Sequence, residues 1–163
     1  MVKIREGTLE DIVEVVKLWQ EFMDEHECVV IKNNPELKYH VTKKNESKKL
    51  FTEFLTDLIK TKKGYLSLAD NDGQIVGYNL ARIKDEIPIF KLEKMGQIAD
   101  LYVQKEFRGQ GLSTKLKNAS ITWFKKNNLK VMSITVYPDN PHAHSIYKKW
   151  GFFEYKTEMR KKI

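Results

Sequence analysis

The chain has one cysteine in 163 residues, Cys28, so no disulfide can form within it. That count fits a reducing compartment, and a buried or half-buried thiol is the expected state of Cys28 rather than a nucleophile. Runs of about 18 apolar residues are also missing, which excludes a hydropathy-driven membrane helix. The opening residues MVKIREGTLED have no continuous apolar centre of the kind a secretion signal needs. A cytoplasmic protein with no membrane partner is the expectation. Acidic residues are in deficit, 22 against 29 lysines and arginines, and the net charge of +7 favours anionic partners. The basic residues are dispersed and no RNP-type aromatic motif accompanies them, which argues against a nucleic-acid-binding module. No repeat, low-complexity tract or linker divides the chain, so residues 1–163 read as one domain.

Periodicity predicts the elements. Val2 to Arg5 alternates as a strand, and Thr8 with Asp11 resembles a helix start in which the threonine hydroxyl caps free amides. Ile12, Val15, Val16, Trp19, Phe22 and Met23 recur at helical spacing, predicting a helix to about His26. Residues 29–45 carry no period and read as a loop with at most a helical turn, and Leu50 to Ile59 form the apolar face of a second helix. Asp70-Asn71-Asp72-Gly73 is a hairpin turn between strands at 65–69 and 75–83, since asparagine and glycine tolerate positive φ. A third main strand follows at Gln97 to Val103, then a helix from Leu112, a strand from Val131 to Tyr137, a helix opened by Asn140-Pro141 and closed by Gly151, and a final strand from Phe152 to Met159. This is a mixed α/β (α+β) order with a largely antiparallel first half.

Between the third main strand and its helix lies Phe107-Arg-Gly-Gln-Gly-Leu-Ser-Thr-Lys115. A glycine-rich turn entering a helix gathers backbone N–H groups where the helix dipole favours an anion. The P-loop pattern fails, because Gly109 and Gly111 are two apart and no Gly-Lys-Ser/Thr follows. The dinucleotide fingerprint fails at position 114, where threonine replaces its third glycine. A bare strand-to-helix turn with no ligand is the remaining structural reading; Lys105 and Lys115 add positive charge near the same helix end, or are simply solvated.

Arg108-Gly109-Gln110-Gly111-Leu112-Ser113 closely resembles the R/Q-x-x-G-x-G/A signature of the GNAT family of N-acetyltransferases, departing from it only at Ser113. Further on, Asn140-Pro-His-Ala143-His-Ser-Ile146-Tyr147-Lys-Lys-Trp150-Gly151-Phe152 resembles the same family's N-x-x-A-x-x-[LI]-Y-x-[KR]-x-G-F hallmark. The resemblance covers residues 97–153. It implies a GNAT fold with about six to seven strands and about four helices, in which the fourth and fifth strands splay into a slot. It further implies acetyl-CoA as acyl donor, held at its pyrophosphate by Arg108, Gly109, Gln110, Gly111, Leu112 and Ser113, along its pantetheine arm by the backbone of Leu101, Tyr102 and Val103, and by Asn140 and Tyr147.

The same resemblance places Tyr147 as the acid that protonates the departing thiolate, which a phenol of pKa about 10 can do. Its residue-level alternative is a core-edge aromatic, as Asn140's is a helix cap. An amide near Val103 would polarise the thioester carbonyl. Direct attack needs a neutral amine, whereas an alkyl amine is mostly protonated at neutral pH. Asp100 is the candidate base, and a carboxylate that merely bonds backbone or a lysine is equally open. Glu21, Asp24 and Glu25 would attract a cationic amine, although a solvated helix face explains them too. His142 and His144, two apart, face different ways on a helix and make a poor metal pair, so no metal is expected, and His144 with Ser145 makes no catalytic pair. The reading is therefore an N-acetyltransferase acting on a primary amine of a small molecule or peptide, with a non-catalytic acyl-CoA sensor as the alternative. Pairing through the final strand offers a route to a homodimer.

Overall fold

The structure is a computed structural model and describes residues 1–161 and 163. Five strands form one sheet in sequence order: β1 (Val2–Glu6), β2 (Gly64–Asn71), β3 (Gln74–Asp85), β4 (Lys94–Val103) and β5 (Met132–Ile134). The first three pairings are antiparallel and the last is parallel. Asp72 and Gly73, at φ 52° and 96°, make the tight turn of the β2–β3 hairpin. The helices are α1 (Ile12–Asn33), a single turn α2 (Lys38–Val41), α3 (Ser47–Lys60), α4 (Leu112–Lys126) and α5 (Pro141–Lys149).

Helices cover both sheet faces. Ile12, Val15, Val16 and Trp19 of α1 and Leu55 and Leu58 of α3 pack on Leu66, Leu68, Tyr78, Leu80 and Tyr102. On the other face, Leu112, Leu116 and Phe124 of α4 pack against Ala69, Val76, Ala81, Ile98 and Val103. A buried polar knot fixes α4 on this face: the Asn79 side-chain amide donates to Ser120 Oγ at 2.7 Å and to the Leu116 carbonyl at 3.3 Å, where the Ser67 hydroxyl also donates. All three polar side chains are fully buried, and these bonds replace water they cannot reach, although Asn79 Oδ1 has no partner among the described residues.

Several sequence expectations need correction. α1 runs about two turns beyond His26, to Asn33, and much of the expected 29–45 loop is helical. Thr8 does not cap α1 with its hydroxyl; Asp11 is instead the acceptor, taking the Thr8 N–H at 2.8 Å and its hydroxyl at 3.1 Å, while Arg5 pairs with Asp11 at 2.7 Å. The expected strand Val131–Tyr137 is reduced to Met132–Ile134, and Phe152 to Met159 forms no strand, leaving five strands rather than six or seven. The last segment stays outside the sheet with Phe153, Tyr155 and Met159 exposed, since local alternation makes a strand only where a partner strand pairs with it. Cys28 is exposed on α1, against the expectation of burial.

Candidate active site

Two local features build the site on β4. The first is a bulge: Leu80 opposes Asp100 and Ala81 opposes Ile98, so Ala99 is an extra residue. A one-residue slip inverts side-chain facing. Ile98 therefore points to the α4 face with Leu101 and Val103, while Asp100 and Tyr102 turn to the face of α1 and α3. The second feature is the short parallel pairing with β5, which covers Gly96 to Ile98 and stops. Beyond the bulge, the β4 edge has no strand beside it among the described residues. Since Gln104 donates to the Val76 carbonyl on β3, alternation turns the N–H and C=O of Leu101 and Val103 toward that open edge and those of Tyr102 toward β3.

At the end of β4 the chain makes a turn over Lys105–Phe107 and enters α4 through Gly109 and Gly111, at φ 78° and 73°. A Cβ at either glycine would meet nothing within 4 Å, so the left-handed conformation itself, rather than space, calls for glycine. The first helical bond runs from Lys115 N–H to the Gly111 carbonyl. The amides of Gly109 to Thr114 have no acceptor among the described residues, which makes a cup of free donors at a helix N-terminus. Leu112 anchors the cup by burying its side chain against the α4 core, while Gln110 is exposed and Ser113 half-buried.

Arg108 does not point its side chain into this cup. Its Nε donates to the Val103 carbonyl at 2.7 Å, its Nη2 meets Glu25 Oε2 at 3.0 Å, and its guanidinium lies 5.4 Å from the centre of the Tyr102 ring. Glu25 also accepts from the Tyr102 hydroxyl at 2.9 Å and lies 3.7 Å from Lys105 Nζ. Burial works to raise the Glu25 carboxyl, but Arg108, Tyr102 and Lys105 outweigh it and hold the group below its ordinary value. Burial, then the Glu25 bond, push the Tyr102 phenol well up, so it remains a donor. One turn back on α1, Glu21 accepts from the Gln104 side chain at 3.1 Å. Glu21 and Glu25 are thus tied to β4 and its loop rather than being a plain solvated face, whereas Asp24 pairs outward with Lys43 at 2.9 Å.

The Asp100 carboxylate has no hydrogen-bond partner among the described residues. Burial pushes its carboxyl up to about 6, and the charge of Arg82 only partly opposes this. Tyr78, opposite Tyr102 on β3, is fully buried with its hydroxyl unpaired. Sequence reading did not single out Tyr78, Arg82 or His26, since each follows from a cross-strand or helix-to-loop contact that periodicity does not encode. His26 lies 4.9 Å from Tyr137 ring to ring, and Asn33 donates to the Asp139 carbonyl at 3.4 Å. The extension of α1 therefore reaches the segment between β5 and α5, so one helix touches both sides of the opening.

On α5, Asn140 caps the helix by accepting the Ala143 N–H at 3.0 Å, with Pro141 at the first helical position. Tyr147 is half-buried between Trp150 and Phe152, ring centres 5.6 and 6.1 Å away, and burial raises its phenol above 10. Lys117 Nζ lies 5.0 Å over Trp150 and joins α4 to α5. His142 is exposed, and His144 lies 4.0 Å from Glu154. Among the described residues, no cluster of three or more His, Cys, Asp or Glu side chains has metal-holding geometry. A shallow surface hollow of about 550 Å³ beside Pro138, Pro141, His144 and Lys148 is lined by none of the predicted site residues.

An open strand edge thus runs into the glycine turn of the first sequence signature at a helix N-terminus. The Acetyltransferase (GNAT) family model matches residues 15–152. The chain belongs to this family. As a GNAT acetyltransferase it is similar to an uncharacterized N-acetyltransferase of Archaeoglobus fulgidus, 32% identical over 67% of this chain and 71% of that one. It is also 31% identical to an N-alpha-acetyltransferase of Sulfurisphaera tokodaii, over 64% of this chain and 65% of the relative. A crystal structure of a predicted acetyltransferase from Clostridium acetobutylicum with acetyl-CoA superposes with a TM-score of 0.78, at 18% identity, covering 99% of this chain and 96% of that one. This GNAT chain thus shares its fold with that protein across nearly its full length. No helix among the described residues is long and apolar enough to cross a membrane.

Proposed function

We propose that the protein transfers the acetyl group of acetyl-CoA to a primary amine of a small molecule or peptide by direct attack in a ternary complex. The observation that carries this reading is the continuity of the open Leu101–Val103 backbone edge with the free amides of Gly109 to Thr114. An extended amide-bearing arm ending in a pyrophosphate matches both halves at once: the strand edge pairs with its amides, and the cup takes its phosphates. The backbone contacts assigned to the arm are those of Leu101 and Val103. Gly109, Gln110, Gly111, Leu112 and Ser113 serve through main-chain N–H groups, and the Ser113 hydroxyl is free to add a phosphate contact. Asn140, its oxygen committed to the helix cap, keeps its amide nitrogen for the donor's arm.

Asp100 is the assigned base. A carboxyl near 6 is ionised at neutral pH yet basic enough to draw a proton from an attacking ammonium, directly or through water. The amine nitrogen then bonds the thioester carbon, the Val103 N–H stabilises the oxyanion, and collapse breaks the C–S bond. Tyr147, a phenol protonated at neutral pH and held further up by burial, supplies the thiolate's proton. Glu21 and Glu25, with Asp100, favour a cationic acceptor approaching on the α1 side. A cytoplasmic setting and a homodimer formed through the exposed C-terminal segment are consistent with this reading. The test is a thiol-release assay with acetyl-CoA over a panel of amines and peptides, together with an acetyl-CoA thermal shift. Stoichiometric thiol release with one amine class is the expected outcome; cofactor binding without turnover on any amine would favour the acyl-CoA sensor, and no binding at all would end both.

A further inference from the structure

Two neighbouring parts of the site have opposite electrical needs. The anion cup gains from unpaired cations beside it, and a cationic acceptor gains from unpaired carboxylates on α1. In the structure these charges satisfy each other instead. Arg108 Nη2 is 3.0 Å and Lys105 Nζ 3.7 Å from Glu25, while Arg108 is held away from the cup by the Val103 carbonyl and the Tyr102 ring. The side chains of Arg108 and Glu25 remain 45% and 31% exposed, so the pairing is worth only about 0–1 kcal/mol. A pyrophosphate seated on the cup would compete readily, since arginine forms forked, charge-assisted bonds with phosphate oxygens.

The geometry points to Glu25 as a charge switch that ties the acceptor side to donor occupancy. With the cup empty, Arg108 and Lys105 neutralise Glu25. With a pyrophosphate in place they turn toward it, and Glu25, left with the Tyr102 hydroxyl, joins Glu21 in presenting negative charge to a cationic amine. Donor binding thus raises acceptor affinity, and linkage requires the reverse as well. The switch rests on the donor assignment above. The groups that face Glu25 are Tyr102 from β4, Lys105 and Arg108 from the loop, and Glu21 one turn back on α1, whose carboxylate is held by Gln104. Lys43 is engaged by Asp24 and Glu27 elsewhere on α1.

The experiment titrates coenzyme A into the wild type and Glu25→Gln by calorimetry, and follows the Glu25 carboxyl by carbon-13 NMR with and without saturating coenzyme A. Removing the internal competitor should tighten coenzyme A binding about 2- to 5-fold, the size of a surface ion pair. In the wild type, the Glu25 midpoint should move up on coenzyme A binding as its cations leave. A glutamate that merely braces the loop predicts weaker binding in the variant and a midpoint that stays low, and either result overturns the switch. Failure of the wild type to bind coenzyme A would remove the donor assignment itself, and the switch with it; binding without these shifts would remove the switch alone.

Discussion

Replacing Asp100 by asparagine should make the protein more stable at neutral and alkaline pH while removing its proposed base. Burial raises this carboxyl from 3.8 to about 6 against the opposing charge of Arg82. A displacement of about two units corresponds to about 3 kcal/mol, reduced here to about 2 kcal/mol because the residue keeps some exposure. The sign follows from proton binding. Between about pH 4 and pH 6 the native carboxyl holds a proton that the unfolded one has released, so wild-type stability falls as pH rises through that window and levels off above it. Asparagine has no such proton. The variant should match the wild type below about pH 4 and exceed it by about 2 kcal/mol at about pH 8, a rise in Tm of about 4–8 °C for a chain of this size. Urea unfolding of both proteins at the two pH values measures the difference directly. Equal stability at both values, or a variant weaker at the higher one, would refute a desolvated Asp100. With an accepted amine in hand, the wild-type rate should rise with a midpoint near 6 and the variant should lose that limb.

Gly111→Ala should cost about 1–2 kcal/mol of stability, from the positive φ alone, and about 10-fold in acetyl-CoA affinity as the cup's amides diverge. Gly73→Ala is the control: its φ is 96° with open space around it, so calorimetry should show a similar stability loss with acetyl-CoA binding intact. Tyr147→Phe should lower turnover about 10- to 100-fold with little change in acetyl-CoA affinity, and equal losses in both would make Tyr147 a packing residue. Asn79→Ala removes two buried hydrogen bonds and leaves Ser120 unpaired beneath α4, so denaturant unfolding should show a loss of about 2–4 kcal/mol. A loss below about 1 kcal/mol would show that the polar knot does not hold α4 in place.

How far the sequence speaks depends on how local each determinant is. The hairpin at 70–73, the cap at Asn140, the glycines at 109 and 111 and the apolar stripes of α1, α3 and α4 all act within a few residues, and their expected places match the structure. The errors fall where distant contacts decide. The last turns of α1 have a weak stripe but gain support from Tyr137 and Asp139. The 152–159 segment alternates like a strand but pairs with no strand of the sheet among the described residues. Glu21 and Glu25 looked like solvent-facing charge because nothing local links a helix at 12–33 to Tyr102, Gln104 and Arg108.

The sequence by itself determined most of the order of helices and strands, the glycine turn into α4 and the two signatures of a GNAT acetyltransferase, because backbone conformation at glycine, asparagine and proline is a local property. Only the tertiary structure decided which way Asp100 faces, where the β4 edge opens and what Glu25 holds. The bulge at Ala99 inverts β4 only in register with β3, the opening exists only because β5 stops at Ile134, and the Glu25 contacts join residues 77 and 83 positions apart. Each depends on strands and helices packed against one another, which no stretch of sequence contains alone.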